Sequence, residues 1–205
     1  MVLRIPGRVI VFDYGDVISA AQSESDTTAI LAVAGAEPAA FFPAYWRHRD
    51  ELDHGVISTA EYWRRIGADL GTEFSLSQQQ LLWAADFRSW TSVDPGTVDL
   101  IAELLAGATR IALLSNAGFD FGDPLRRSPL GGLFERVFVS SELGLIKPDP
   151  QIYLRVASEL GIDPSEMVFI DNKAVNVDAA RTLGVTGHVF RSSGGLRGFL
   201  EGLAD

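Results

Sequence analysis

Asp13 closes the apolar run Arg8-Val9-Ile10-Val11-Phe12 and is followed by Tyr14-Gly15-Asp16-Val17. A carboxylate at the mouth of a buried strand is a chemical candidate, because a parallel sheet presents its ligand site at the carboxyl ends of its strands. Three more polar groups follow apolar runs in the same way. Ser115-Asn116 comes after Ile111 to Leu114, Lys147-Pro148-Asp149-Pro150 lies in the loop after Val137 to Val139, and Asp171-Asn172 comes after Val168 to Ile170. A carboxylate, a hydroxyl with an amide, a lysine and a second carboxylate in one crevice are what group transfer through an aspartyl intermediate would use. Each has a blander reading alone: a turn-capping aspartate, a serine bonded to its own backbone, a solvated lysine.

The elements that must position these groups are legible as a pattern. The four runs, with a fifth at His188 to Phe190, are short, continuously apolar and separated by helical stretches. That is the signature of parallel strands buried on both faces, hence an α/β protein with a Rossmann-like parallel sheet flanked by helices. Residues 18–90 break the alternation and read as wholly helical. Ser58-Thr59-Ala60-Glu61 is a capping box with Ile57 and Tyr62 as a hydrophobic staple, Ser77 with Gln80 marks a second start, and Gly35, Gly55 and Gly71 act as stops. Four helices are expected there. The block is too large for a crossover and reads as an all-helical cap subdomain (18–90) inserted into a core formed by residues 1–17 and 91–205, with re-entry near Asp94-Pro95-Gly96.

Composition narrows the function. The 205 residues, 47% hydrophobic, suffice for a full core. Seventeen basic against 27 acidic residues, a net charge of −10, argue against nucleic acid as the partner. No apolar run approaches a membrane span. Cysteine is absent, which excludes disulfides and thiolate metal sites. With no secretory pattern at Met1-Val2-Leu3-Arg4, a cytoplasmic location is expected. The expected partner is a small, anionic molecule; oligomeric state is left open.

With its four motifs in order, Phe12-Asp13-Tyr14-Gly15-Asp16-Val17, Leu113-Leu114-Ser115-Asn116, Gly144 to Tyr153 and Phe169-Ile170-Asp171-Asn172 through Asn176, the chain resembles the haloacid dehalogenase superfamily, in the branch with a helical cap after the first strand. The resemblance implies a hydrolase that acts on a small phosphorylated metabolite through an aspartyl phosphate on Asp13. It implies that Ser115, Asn116 and the backbone amides there hold phosphoryl oxygens and that Lys147 offsets the gathered negative charge. It also implies a magnesium ion held by Asp13, the Gly15 carbonyl and the Asp171-Asn172 pair.

Two departures from the family pattern stand out. Most phosphatases of the superfamily carry an acid two residues after the nucleophile, and a positioned acid or base contributes about two to four orders of magnitude in rate; here the position is Gly15. Members resembling sugar-phosphate phosphatases share that glycine. Asp16 is a possible substitute, with a role in the loop weighted ahead. In the fourth motif Asn172 replaces a common carboxylate, and its neutral amide is a weaker ligand for a hard cation. These losses keep two alternatives open: a metal-free 2-haloacid dehalogenase-type hydrolase, and a non-catalytic binding protein on the same fold.

Specificity is expected in the cap. Tyr45-Trp46-Arg47-His48-Arg49-Asp50 concentrates cations and aromatics, so Arg47 and Arg49 are candidate substrate-binding residues. The competing expectation is an amphipathic helix with Phe41 on Tyr45 and Phe42 on Trp46 inside and solvated arginines outside. Asn176 and Asp178 are assigned to the helix start or motif loop.

Overall fold

Successive residues of a strand point to opposite faces of its sheet, and both faces are covered here. The computed structural model describes residues 2–204. Its sheet comprises β1 (Val9–Phe12), β2 (Arg110–Ser115), β3 (Val137–Val139), β4 (Met167–Asp171) and β5 (Thr186–Val189), all parallel, in the order β3-β2-β1-β4-β5. The helices are α1 (Glu24–Ala34), α2 (Pro38–Arg47), α3 (Arg49–Asp53), α4 (Thr59–Asp69), α5 (Leu76–Ser89), α6 (Pro95–Ala106), α7 (Phe119–Arg126), α8 (Ser140–Leu143), α9 (Pro150–Leu160), α10 (Ala174–Arg181) and α11 (Ser193–Glu201).

Ile10, Phe12, Ile111, Leu113, Val168 and Ile170 pack against α6 and α11 through Leu100, Ile101, Leu104, Leu196 and Leu200. The alternate residues Val9, Val11, Ala112, Leu114, Met167 and Phe169 pack against α9 through Ile152, Tyr153, Val156 and Leu160. Two helical layers therefore explain why these runs are apolar throughout rather than alternating. Register then places the site. Phe12 is opposite Leu113 on one side and Ile170 on the other, so the next residue, Asp13, emerges beside Leu114 and Asp171.

Between β1 and β2 the chain forms α1–α5 around a separate apolar cluster that includes Ile30, Phe41, Tyr45, Tyr62, Trp63, Ile66 and Leu82. The two chain passages joining this helical insertion to the sheet layer run side by side. Ser19 and Val93 form an antiparallel bridge, and the amides of Ala20 and Asp94 donate to the carbonyls of Ser92 and Ile18 at 2.9 Å each. Among the described residues no single helix is long and apolar enough to cross a membrane.

Several local expectations are corrected. The insertion has five helices, not four; a sixth, α6, starts at the Asp94 cap and belongs to the sheet layer. Helix α5 is capped by Ser75, not Ser77: Ser75 and Gln78 form a reciprocal box. The run Gln78-Gln79-Gln80 offers two registers, and the earlier one prevails. Ser58 does cap α4, but Glu61 returns only its amide, because its carboxylate is taken by Arg64 and Arg65. The last strand ends at Val189, one residue before Phe190. Phe41 stacks near Tyr45, with ring centroids 5.9 Å apart, whereas Trp46 is half exposed and lies against Tyr45 instead of Phe42.

Candidate active site

The row of strand ends at Leu114, Asp13 and Asp171 converges on one ammonium group. Lys147 Nζ donates to Asp13 Oδ1 at 2.7 Å, to the Leu114 carbonyl at 3.0 Å and to Asp171 Oδ2 at 2.9 Å. An ammonium has three donors, so all of its hydrogen-bonding capacity is satisfied by the protein. The lysine side chain is 1% exposed and that of Asp171 is fully buried. Removing such charges from water is costly unless they are paired and bonded, and here each is. Burial works to lower the lysine pKa, but Asp13 and Asp171 together outweigh it and raise it. For Asp13, burial dominates over the attraction of Lys147, and its carboxyl is pushed up from 3.8 to about 6.

The loop carrying Lys147 is fixed by Asn116. Its Nδ2 donates to the Lys147 carbonyl and its Oδ1 accepts from the Lys147 amide, both at 3.0 Å. The Asn116 side chain therefore clamps the lysine loop and is not free for substrate, which corrects that expectation. Asp171 is held by the Lys173 amide and by Asn176 Nδ2, at 2.8 and 2.9 Å. Asn176 thus supports the motif, as expected, while Asp178 pairs with Arg181 on the exposed side of α10.

Two oxygens are left facing outward. Asp13 Oδ2 and Ser115 Oγ have no hydrogen-bond partner among the described residues, and both residues line a cavity of about 150 Å³ between the strand ends and the insertion. The same wall includes Tyr14, Gly15, Asp16, Asn172 and Lys173. Asn172 Nδ2 donates to Asp16 Oδ2 at 3.4 Å, whereas Asn172 Oδ1 is buried and unpartnered. Asp16 sits at φ 56°, in the left-handed region, where Asp is tolerated. This supports its loop role.

A divalent cation fits this donor set. Asp13 Oδ2, the orphaned Asn172 Oδ1 and the Gly15 carbonyl, which accepts none of the loop backbone bonds, are all oxygens. Such ligands suit magnesium. Three of the roughly four acceptor positions of Asp171 are already taken by Lys147, Lys173 and Asn176. Asn172 Oδ1 is thus the freer oxygen of that pair. Among the described residues there is no cluster of three or more His, Cys, Asp or Glu suited to a metal.

The insertion contributes the opposite wall: Trp46, Arg49, Asp50, Asp53 and Trp90. Arg47 is absent from it. Its side chain is 61% exposed and pairs with Asp69 at 2.9 Å, since residues two apart on a helix face opposite sides and Arg49 takes the inward one. That corrects the expectation for Arg47. Arg49 does face the cavity, but it is committed. Its Nε donates to Asp53 Oδ1 at 3.0 Å and its Nη1 to Tyr45 Oη at 2.8 Å and Asp86 Oδ2 at 3.2 Å.

Sequence reasoning missed Asp53 and Trp90. Asp53 is buried, and burial, acting more strongly than the Arg49 attraction, pushes its carboxyl up to about 6. Trp90 receives the Tyr14 hydroxyl on its carbonyl at 2.8 Å, and its ring lies next to Gly15. The i, i+4 spacing of Arg49 and Asp53 was a visible signal. The placement of Trp90 was not, since it depends on how the insertion re-enters the core.

The sequence profile of the haloacid dehalogenase-like hydrolases matches residues 8–184. The chain is 25% identical over 189 residues to D-ribitol-5-phosphate phosphatase of Bacteroides thetaiotaomicron, covering 85% of this chain and 87% of that protein. It is 29% identical over 146 residues to the chloroplast flavin mononucleotide hydrolase 1 of Arabidopsis thaliana, covering 71% of this chain but only 58% of the relative. A wild-type HAD family enzyme of Bacteroides thetaiotaomicron, solved in complex with magnesium and inorganic phosphate, superposes with a TM-score of 0.71 at 21% identity, covering 90% of this chain and 94% of the other.

Proposed function

The chain belongs to the haloacid dehalogenase-like hydrolases, and from that premise we propose that it hydrolyses small phosphate monoesters through an aspartyl phosphate on Asp13. The observation that carries this reading is the register-placed Asp13, bonded through Oδ1 to Lys147 with Oδ2 open to the cavity. Oδ2 attacks phosphorus in line with the leaving oxygen. Lys147, its donors all engaged, holds nucleophile and Asp171 in place and offsets their charge while an anionic phosphate approaches. The Ser115 hydroxyl and the Asn116 backbone amide bind phosphoryl oxygens. Magnesium, held by Asp13, the Gly15 carbonyl and Asn172 with Asp171 behind, would supply further charge neutralisation at the phosphoryl group.

The helical insertion acts as the cap, and its size limits the substrate. A cavity of about 150 Å³ lies below the roughly 300 Å³ at which drug-sized ligands begin to fit. That favours a sugar or polyol phosphate, the substrate class of the ribitol-phosphate relative, over a flavin nucleotide. The cap wall also carries Asp50 and Asp53 with a neutralised Arg49, so a neutral leaving group suits it better than a second anion.

Purified protein assayed on an aryl phosphate and a polyol phosphate, with magnesium or with chelator, is expected to show turnover that needs the metal and falls by about four orders of magnitude or more in Asp13→Asn. Chloride release from a 2-chloro acid without phosphatase activity would transfer the assignment to the dehalogenase reading. No Asp13-dependent turnover on either substrate class would leave the binding-protein reading.

A further inference from the structure

The position that carries an acid in most phosphatases of this fold is Gly15, and the space beyond it is aromatic. A Cβ built there would sit 3.6 Å from the Trp90 ring. Two-step transfer through Asp13 still needs a proton for the leaving alkoxide and a base for the attacking water. Four carboxylates line the cavity: Asp13, Asp16, Asp50 and Asp53. Asp13 is the nucleophile, and Asp16 and Asp50 are exposed to solvent. Asp53 is buried, and only one of its oxygens is engaged: Oδ1 accepts from Arg49, while Oδ2 has no partner among the described residues. Its backbone is anchored to the sheet layer, since the Ser140 hydroxyl donates to the Asp53 carbonyl and His54 Nε2 lies 3.0 Å from the Gly144 carbonyl. The next residue, Gly55, sits at φ 78°, where a Cβ would come within 3.0 Å of the Ser141 carbonyl. The backbone at residue 53 is therefore held against the sheet layer although its helix belongs to the insertion, and the carboxyl lines the cavity shared with Asp13.

We propose that Asp53, delivered from the cap, is the general acid and base that Gly15 lacks. The proposal rests on the phosphatase reading and extends it. In the first step the Asp13 Oδ2–P bond forms, the P–O bond to the alcohol breaks, and the Asp53 carboxyl gives its proton to the departing oxygen. In the second, water forms the new bond to phosphorus, the acyl phosphate bond breaks, and its proton returns to Asp53; inorganic phosphate leaves and both carboxyls are restored. The groups facing Asp53 are Arg49 on its own helix, Asp86 on α5 and Lys173 after β4. Together with burial, which dominates, they hold it near 6, where acid and base forms are both populated at neutral pH.

The test compares leaving groups. In Asp53→Asn, kcat on a polyol phosphate is expected to fall about 10²- to 10⁴-fold. With 4-nitrophenyl phosphate, whose leaving group needs no proton, the first turnover should fall far less and appear as a burst before a slow steady state. The descending alkaline limb of kcat/KM above about pH 6 should vanish in the variant. Asp53→Glu, which keeps the carboxyl, should regain more activity than the isosteric Asn. An equal loss in the first turnover on both esters, a change confined to KM, or Asn outperforming Glu would overturn the proposal. Asp13→Asn on the aryl ester reports separately on the phosphatase reading; a wild-type protein inactive on both esters overturns both.

Discussion

The two walls of the cavity carry the same charge motif in different materials. On the sheet side one lysine lies between Asp13 and Asp171; on the cap side one arginine lies between Asp53 and Asp86. The lysine triad is assembled from strand ends in fixed register, is at most 10% exposed, and uses every ammonium donor. The arginine triad is built across two helices, is 10–15% exposed, and includes Arg49 and Asp53 in the cavity lining, with Asp53 Oδ2 unpaired among the described residues. The difference assigns the labour. A saturated cation fixes the geometry of one reacting atom, whereas an unsaturated pair retains donors and acceptors for a variable substrate. Arginine suits the second task because its planar fork presents five donors, and lysine suits the first as a compact point charge.

The largest effect that can break this comparison is at the lysine. Lys147→Met leaves two buried carboxylates without their cation and should remove activity and cost about 3–5 kcal/mol. Arg49→Met should cost less, because its triad is wetter; denaturant melts in which the arginine variant is the weaker of the two would contradict the distinction. Next in size is the pH response of Asp13. Its carboxyl binds a proton more tightly in the fold, at about 6, than in the unfolded chain, at 3.8. Between these values rising pH strips the unfolded chain first, so this group's contribution to stability falls as pH rises and levels off above about 6. The melting temperature of Asp13→Asn relative to wild type should therefore climb between pH 4 and 7, and a flat difference would show that Lys147 fully compensates burial. Gly55→Ala, which forces a side chain into a left-handed position against the core, should cost about 1–2 kcal/mol and reduce turnover more than Arg47→Ala. The smallest effect is expected for Arg47→Ala, with stability changed by less than about 0.5 kcal/mol and kcat/KM unchanged; a large kinetic loss there would return Arg47 to the substrate wall.

Much of the sheet-side triad was legible, because it rests on a local pattern. An apolar run ending in a polar residue marks a strand mouth, and Asp13, Ser115 and Asp171 lie at such ends, with Lys147 in the loop that Asn116 draws against them. The cap triad was only half legible. Arg49 and Asp53 are four residues apart on one helix, but Asp86 is 37 residues beyond Arg49 on another, and no local spacing links them. Arg47 and Arg49, two residues apart, face opposite sides of their helical path, but no local feature says which side meets the sheet layer. Asn116 misled for another reason: an amide next to a strand-end serine is as suited to a backbone clamp as to a ligand, and only the position of the lysine loop decides.

The paired passages at Ser19 and Val93 have a consequence for traffic through the cavity. Two passages bonded side by side are placed to serve as one pivot between the helical insertion and the sheet layer. The insertion and the sheet layer meet again on the far rim, where His54 and Gly55 lie against Gly144 and Ser141. A swing about that line would carry Asp53 with the rim, so the exit of product would coincide with withdrawal of the proposed proton carrier. Hydrogen exchange that is slow at the Ala20 and Asp94 amides and fast at Gly55 would mark the pivot and the rim.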